Sequence, residues 1–247
     1  MLKKTRVDLH IHTCLSPCAD LEMTPSAIIK TAIEKEIDII AITDHNSAEN
    51  VIAARKAAEH TKLTVLAGME ITSSEEAHIL ALFDDIGGIM KMEDIVYENL
   101  QPGENDEKLF GEQIVVNEKD EVLDFNKRLL IGATSLSAQK IVNTIHSLGG
   151  LAIASHIDRD AFSIVSQLGF IPADLEFDAL EMSPNTERGK ADLLFSDYKS
   201  FSWITSSDAH WLKDIGRRTT SFLMNEPTLE EIRLAFKSVD GRKVEWG

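Results

Sequence analysis

Val7-Asp8-Leu9-His10-Ile11-His12 is the stretch on which the reading of this chain turns. Apolar and polar residues alternate along it. As a β-strand it would present Asp8, His10 and His12 to one face and Val7, Leu9 and Ile11 to the other. Two imidazoles two residues apart on a strand can hold one metal ion, because neutral imidazole nitrogen is a common ligand for zinc, manganese and iron. Taken alone, the pair would fit a hydrogen-bonded histidine pair in a core equally well.

The rest of the chain favours metal. Ile37–Ile42 leads into Thr43-Asp44-His45, Leu63–Met69 into Glu70, and Leu151–Ala154 into Ser155-His156. Phe201–Thr205 leads into Ser206-Ser207-Asp208-Ala209-His210, whereas His78 opens the run Ile79–Phe83. In a parallel α/β barrel all strands point the same way, so residues at their carboxyl ends converge on one mouth. Of the 8 histidines, all but His60 and His146 stand beside these runs. A metal centre needs such clustering, and chance scatter does not supply it. His60 falls at a helix end, where a cation complements the dipole, and His146 falls on a helix; both are read as structural.

A chain of 247 residues with 43% hydrophobic and 27% charged content suits one α/β barrel over residues 1–247. Neither a secretory leader nor an apolar run of membrane-spanning length is present, so the cytoplasm is the expected compartment and no membrane the expected partner. A net charge of −16 argues against a protein that coats nucleic acid and against long duplex nucleic acid as a partner. Bound cations could still reverse the sign at the mouth. Cys14 and Cys18, the only cysteines, are read as free thiols, since a lone C-x3-C pair is a weak zinc signal.

Along the chain, Thr24 and Pro25 start a helix that runs to Glu36, and a second helix runs from Ala48 to His60. Between Asp84 and Ala133 the pattern loosens into a helix over Met90–Leu100, a turn, and a β-hairpin of Gln113–Val116 and Val122–Phe125. This stretch reads as an elaboration on the barrel. A helix over Ser137–Leu148, strands at Leu151–His156, Ala179–Met182 and Phe201–Thr205, and a last helix at Leu229–Val239 with Thr228 and Glu231 in capping-box spacing complete the chain.

Six pieces, in order, carry a resemblance: Asp8-Leu9-His10-Ile11-His12, Thr43-Asp44-His45, Gly68-Met69-Glu70-Ile71, His78-Ile79-Leu80, Ser155-His156 and Ser207-Asp208-Ala209-His210. With these the chain resembles the PHP superfamily, the polymerase and histidinol phosphatase group of metal-dependent phosphoesterases. The resemblance implies an α/β fold, a distorted (β/α)7 barrel of the PHP type, here with the helix and β-hairpin elaboration around residues 84–133. It also implies two or three divalent metal ions, manganese, iron or zinc. By family role, His10, His12 and Asp208 would hold one ion, Glu70 would bridge it to a second completed by His78 and His156, and Asp20, His45 and His210 would form a third. Asp20 is chosen for its five-residue offset to Pro25, with Glu22 as the rival. The loop Cys14-Leu15-Ser16-Pro17-Cys18-Ala19 is longer than the family's, and Leu21 stands where a Gly is usual.

Asp44 is expected to orient a neighbouring histidine, and Asp8 to do the same or to solvate the strand end. Glu181 and Asn185 could line the mouth without a motif to support them. Arg159 falls where family members often carry a basic residue for substrate phosphate, with Arg217 and Arg218 as weaker candidates. The expected activity is that of a phosphoesterase, with Glu70 and Arg159 as catalytic residues and a metal-bridging hydroxide as nucleophile. The substrate implied is small and phosphorylated: a nucleotide, a short oligonucleotide or histidinol phosphate. The alternatives are a non-catalytic metal-binding module and an amidohydrolase-like C–N or C–O hydrolase. No lysine suited to bridging metals follows strand four, which opposes the latter.

Overall fold

The computed structural model describes residues Met1–Trp246. Its strands are β1 (Lys3–Ile11), β2 (Ile39–Ile42), β3 (Thr64–Thr72), β4 (His78–Phe83), β5 (Ile114–Val116), β6 (Val122–Phe125), β7 (Leu151–Ala154), β8 (Ala179–Met182), β9 (Ser202–Thr205), β10 (Thr220–Met224) and β11 (Lys243–Glu245). The helices are α1 (Pro25–Glu34), α2 (Val51–Ala58), α3 (Ile86–Asn99), α4 (Glu107–Phe110), α5 (Ala138–Ser147), α6 (Ile164–Leu168), α7 (Arg188–Leu194) and α8 (Leu229–Phe236). One 9-stranded sheet runs in the order β11-β10-β1-β2-β3-β4-β7-β8-β9, and β5-β6 form a separate hairpin.

The sheet curls almost onto itself. Beyond β9, Ala209 bridges Ile11 at the end of β1 in parallel, and the His12 N–H donates to the Ala209 carbonyl at 3.0 Å. Thr205 on β9 and Thr220 on β10 exchange hydrogen bonds of 2.8 Å through the Thr220 hydroxyl. The result is the distorted α/β barrel expected, and all seven anticipated strands are present. β10 and β11, which the sequence did not suggest, extend it antiparallel beside β1.

Strand direction differs from the expectation at one place. β1-β2-β3 and β7-β8-β9 are parallel sets, but β4 runs antiparallel to both β3 and β7. Its beginning therefore lies at the mouth where the other strands end. That reversal is why His78 precedes its apolar run while the other candidates follow theirs.

Two apolar layers follow from the period of two along each strand. Leu66, Leu80, Leu82, Leu151, Ile153, Ala179, Ile204, Phe222 and Met224 point into the barrel and pack with Leu229, Ile232 and Phe236 of α8. Ile40, Ile42, Val65, Ala67, Met69, Ala81, Ala152 and Leu180 point outward against the helices. Inward positions become polar toward the mouth: Leu66, Gly68, Glu70 on β3; Leu82, Leu80, His78 on β4; Ala179, Glu181 on β8. On β1 the pairing with β2 shifts register between Asp8 and Ile11. Val7 and Leu9 belong to the inner layer but Ile11 to the outer one, so the shift is what turns His10 and His12 inward.

The elaboration begins with α3, whose Asp85 side chain caps it by accepting from the Gly88 N–H at 2.8 Å. The hairpin docks beside the mouth through Asn50, which donates to the Ile114 carbonyl at 3.0 Å and accepts from the Val116 N–H at 2.9 Å. Among the described residues no helix is long and apolar enough to cross a membrane.

Candidate metal centre

Glu70 stands at the centre of the mouth, 1% exposed. Five imidazoles surround its carboxylate. His45 Nδ1 and His78 Nδ1 lie 3.1 Å from it, His156 Nε2 3.2 Å, His10 Nε2 3.3 Å and His12 Nε2 3.5 Å. The same five rings form a cycle, His10–His12–His45–His78–His156 and back to His10, with successive centroids 5.1, 4.6, 5.2, 5.4 and 5.9 Å apart. His210 stacks on His12 at 4.2 Å from outside the cycle. Asp208 Oδ1 lies 3.4 Å from both His10 Nε2 and His12 Nε2, and its carboxylate also pairs with Arg159.

The backbone places these groups at some cost. Glu70 reaches the centre because Gly68, two residues earlier, lets β3 pass close to β2: a Cβ there would meet Thr43 Cγ2 at 2.7 Å and the Ile42 carbonyl at 2.8 Å. His156 and Asp208 adopt positive φ of 28° and 48° at the ends of their strand runs. Such conformations cost about 1–3 kcal/mol for residues with a Cβ, and they concentrate at functional sites.

Second partners fix which nitrogens face inward. His10 Nδ1 donates to Glu181 Oε2 at 2.9 Å, and the His156 N–H donates to the same oxygen at 3.2 Å. His12 Nδ1 donates to Ser16 Oγ at 3.0 Å; that hydroxyl also accepts from the His45 N–H at 3.1 Å and donates to Asp44 at 2.7 Å. The Nε2 edges of both rings are thereby turned toward the cluster, 3.1 Å from one another. Asp44 thus supports His12 through Ser16 and not by direct contact. Asp8 does not solvate the strand end: fully buried, it accepts from the Ser207 and Gly216 N–H groups at 2.9 Å each and pins the Asp208 segment to β1.

The donor set fits metal ions. Burial pushes the Glu70 carboxyl upward, yet His78, His10 and His45 hold it well below the usual carboxylate range. Burial likewise opposes ionisation of Asp208, but His10, His12 and Arg159 keep it well below its ordinary value. Burial lowers His12 to about 3, helped by His210, and takes His45 well below 6.5. His10 goes the other way: burial would lower it, but Glu70, Glu181 and Asp208 hold it well above 6.5, so a bound cation would take the place of its proton among these ionised carboxylates and imidazoles. His156 Nδ1 and Glu181 Oε1 are buried without a hydrogen-bond partner among the described residues. Three groups bring one donor atom each within 4.8 Å of the others: His10, His12 and Asp208; His45, Glu70 and His78; His12, His45 and His210.

The structure therefore gathers His10, His12, His45, Glu70, His78, His156, Asp208 and His210. It does not gather Asp20, whose Oδ1 accepts from the Glu22 N–H at 2.8 Å while its own N–H donates to the His210 carbonyl. Glu22 is exposed. Cys14 is buried against the Ile114 carbonyl and Cys18 is exposed, and neither belongs to a donor group. Ser16 and Glu181 are the supporting residues that sequence reasoning missed or left without a role. The inward alternation from Ala179 was the available signal for Glu181. Replacing Glu181 with Ala is expected to lower divalent-ion affinity by about 10- to 100-fold by freeing His10 to rotate. Equilibrium dialysis against zinc would measure it, and an unchanged affinity would mean that packing alone orients the ring.

Buried imidazoles and carboxylates gathered at the mouth of a nearly closed α/β barrel make a candidate metal centre. The chain belongs to the PHP domain family, whose sequence profile matches residues 8–160. It is 34% identical over 84 residues to the 5'-3' exoribonuclease Rnm of Escherichia coli, a match covering 32% of this chain and 28% of that one. Uncharacterized protein YqxK of Bacillus subtilis is 25% identical over 256 residues, covering 98% of this chain and 64% of the relative. In fold, the chain is similar to the lesion-specific endonuclease Q of Pyrococcus furiosus, with a TM-score of 0.73 at 19% identity over 98% of this chain and 58% of that one. This chain thus spans less than two thirds of each of these relatives.

These likenesses correct one expectation. A small phosphorylated substrate with long duplexes excluded does not stand, because endonuclease Q has also been crystallised with a 27-mer duplex bearing an abasic lesion at its active site. Net charge describes the whole surface, whereas substrate meets only the mouth. An acidic chain on this fold is no argument against nucleic acid.

Proposed function

We propose that this chain is a metal-dependent phosphodiesterase that cleaves nucleic acid strands. The observation that carries the reading is Glu70 at the centre of five inward-turned imidazoles, with Asp208 and an arginine beside them. The nucleolytic names of endonuclease Q and the exoribonuclease support nucleic acid as the substrate class.

His10, His12 and Asp208 would hold one ion and His45, Glu70 and His78 another, with His156 on the Glu70 side and His210 on the His12 side. Manganese, iron and zinc all suit mixed imidazole and carboxylate donors. Bound ions would supply Lewis-acid charge and an acidified water. The chain's own contributions are separate. Glu70 supplies the negative charge that lets cations sit close together. Arg159, with 38% of its side chain exposed beside Asp208, is placed to take two phosphate oxygens through its planar fork. Glu181 and the Ser16–Asp44 pair keep His10 and His12 aimed inward, and the apolar layer beneath keeps the floor of the site dry.

Manganese-loaded protein incubated with end-labelled strands tests this directly. The strands are a duplex with an abasic site, an undamaged duplex, single-stranded DNA and single-stranded RNA. The expected result is cleavage of at least one that stops on chelation and returns with metal. Hydrolysis of phosphomonoesters alone, with every strand left intact, would overturn the reading.

A further inference from the structure

Two large aromatic side chains stand in solvent at the rim of the mouth. Phe162 is 45% exposed, and its ring lies over His78 with centroids 4.8 Å apart and planes 16° apart. Its backbone is held with φ at +59°, a conformation unfavourable for a bulky residue, and its carbonyl accepts from the His78 N–H at 2.9 Å. Trp211 is 49% exposed, with its ring 6.3 Å from that of His210 and the Lys213 ammonium 5.7 Å from its centroid. His78 lies in the imidazole cycle and His210 stacks outside it on His12, so Phe162 and Trp211 border separate imidazoles of the cluster. Neither is part of the apolar layers.

A strained backbone that holds an aromatic ring in water, locked to a candidate ligand, has no packing to account for it. Flat exposed rings beside a phosphate-cleaving centre match the way proteins hold unpaired nucleotides, because every base offers a π-face and the cation follows the backbone. We infer that Phe162 and Trp211 are base-stacking platforms that seat the unstacked nucleotides on either side of the phosphate to be cut. The inference rests on the nucleic-acid reading and narrows it: the strand is single, or is opened at the point of cleavage. Both residues position substrate and take no part in bond breaking.

Tryptophan emission supplies a readout independent of turnover. Of the 3 tryptophans, Trp203 and Trp246 are 4% and 7% exposed, so Trp211 is the one a base can reach. The experiment titrates zinc-loaded protein with a hydrolysis-resistant phosphorothioate single strand of about twelve nucleotides, and with the same strand in a fully paired duplex. Saturable quenching is expected with the single strand, weaker with the duplex, and absent in Trp211→Phe, which retains binding by fluorescence anisotropy of an end-labelled strand. Trp211→Leu and Phe162→Leu are each expected to raise the Kd by about 5- to 150-fold. Phe162→Tyr should restore affinity, and zinc content should stay the same throughout. Wild-type binding without quenching, or leucine variants that bind as tightly as wild type, would overturn the platforms and leave the nucleic-acid reading standing. No binding of any strand by the wild type would remove both.

Discussion

Glu70→Gln is expected to lose at least one divalent ion and about 10²–10³ of its turnover together. Glutamine keeps the shape of the side chain, so the five imidazoles around it stay packed as they are. What disappears is the only negative charge all five touch. Cations held a few ångströms apart repel strongly where little water screens them, and a buried carboxylate between them offsets that repulsion. An amide cannot. Elemental analysis and steady-state kinetics on the same preparation give the two readings at once. A variant that keeps full metal and full rate would remove Glu70 from the centre of the mechanism.

Arg159→Ala is expected to fail differently, with metal content preserved and kcat/KM lowered by roughly 30- to 1,000-fold, or about 2–4 kcal/mol of transition-state stabilisation. Arg159 is no member of the donor groups and touches them only through Asp208. Removing it leaves the imidazoles and Glu70 undisturbed and takes away a charge-assisted contact to phosphate. A kinetically silent variant would send the phosphate clamp elsewhere. Arg217 and Arg218 would be next, although the structure ties them to the carbonyls of Ser207 and Pro184 at 2.9 Å each.

Much of the site was legible because barrel strands obey a period of two and end at a common rim. Glu70, His78, His156 and Asp208 could be read from where apolar runs stop or start, before any strand was paired with another. The direction of β4 was not legible, since an apolar run has no arrow and only its hydrogen-bond partners assign one. His10 and His12 do meet in the cluster, but the sequence reason for it was incomplete. Simple alternation groups them with Asp8, whereas the register shift on β1 separates the two histidines from it and leaves Asp8 to hold the Ser207–Gly216 segment. β10, in which Thr220, Phe222 and Met224 are buried between half-buried residues, carries strand patterning, but it is 5 residues long and follows a loop that gave no boundary. Ser16 lay beyond reach, because a serine in a loop shows its worth only when the two histidines it touches are seen together. Asp20 was chosen by spacing to Pro25, which says nothing of where a carboxylate points: its N–H meets the His210 carbonyl while its Oδ1 accepts from the Glu22 N–H.

The seam between β1 and the segment after β9 also sets an order of assembly. Asp8 and Ser207, joined across it, are 199 residues apart in the chain. A polypeptide emerging from the ribosome presents His10, His12, His45, Glu70, His78 and His156 long before Asp208 and His210 appear. Ions captured by that earlier set would sit in an unfinished cradle, and the barrel cannot close until the final stretch returns to the first strand. Closing that loop of 199 residues and completing the cluster are then one event.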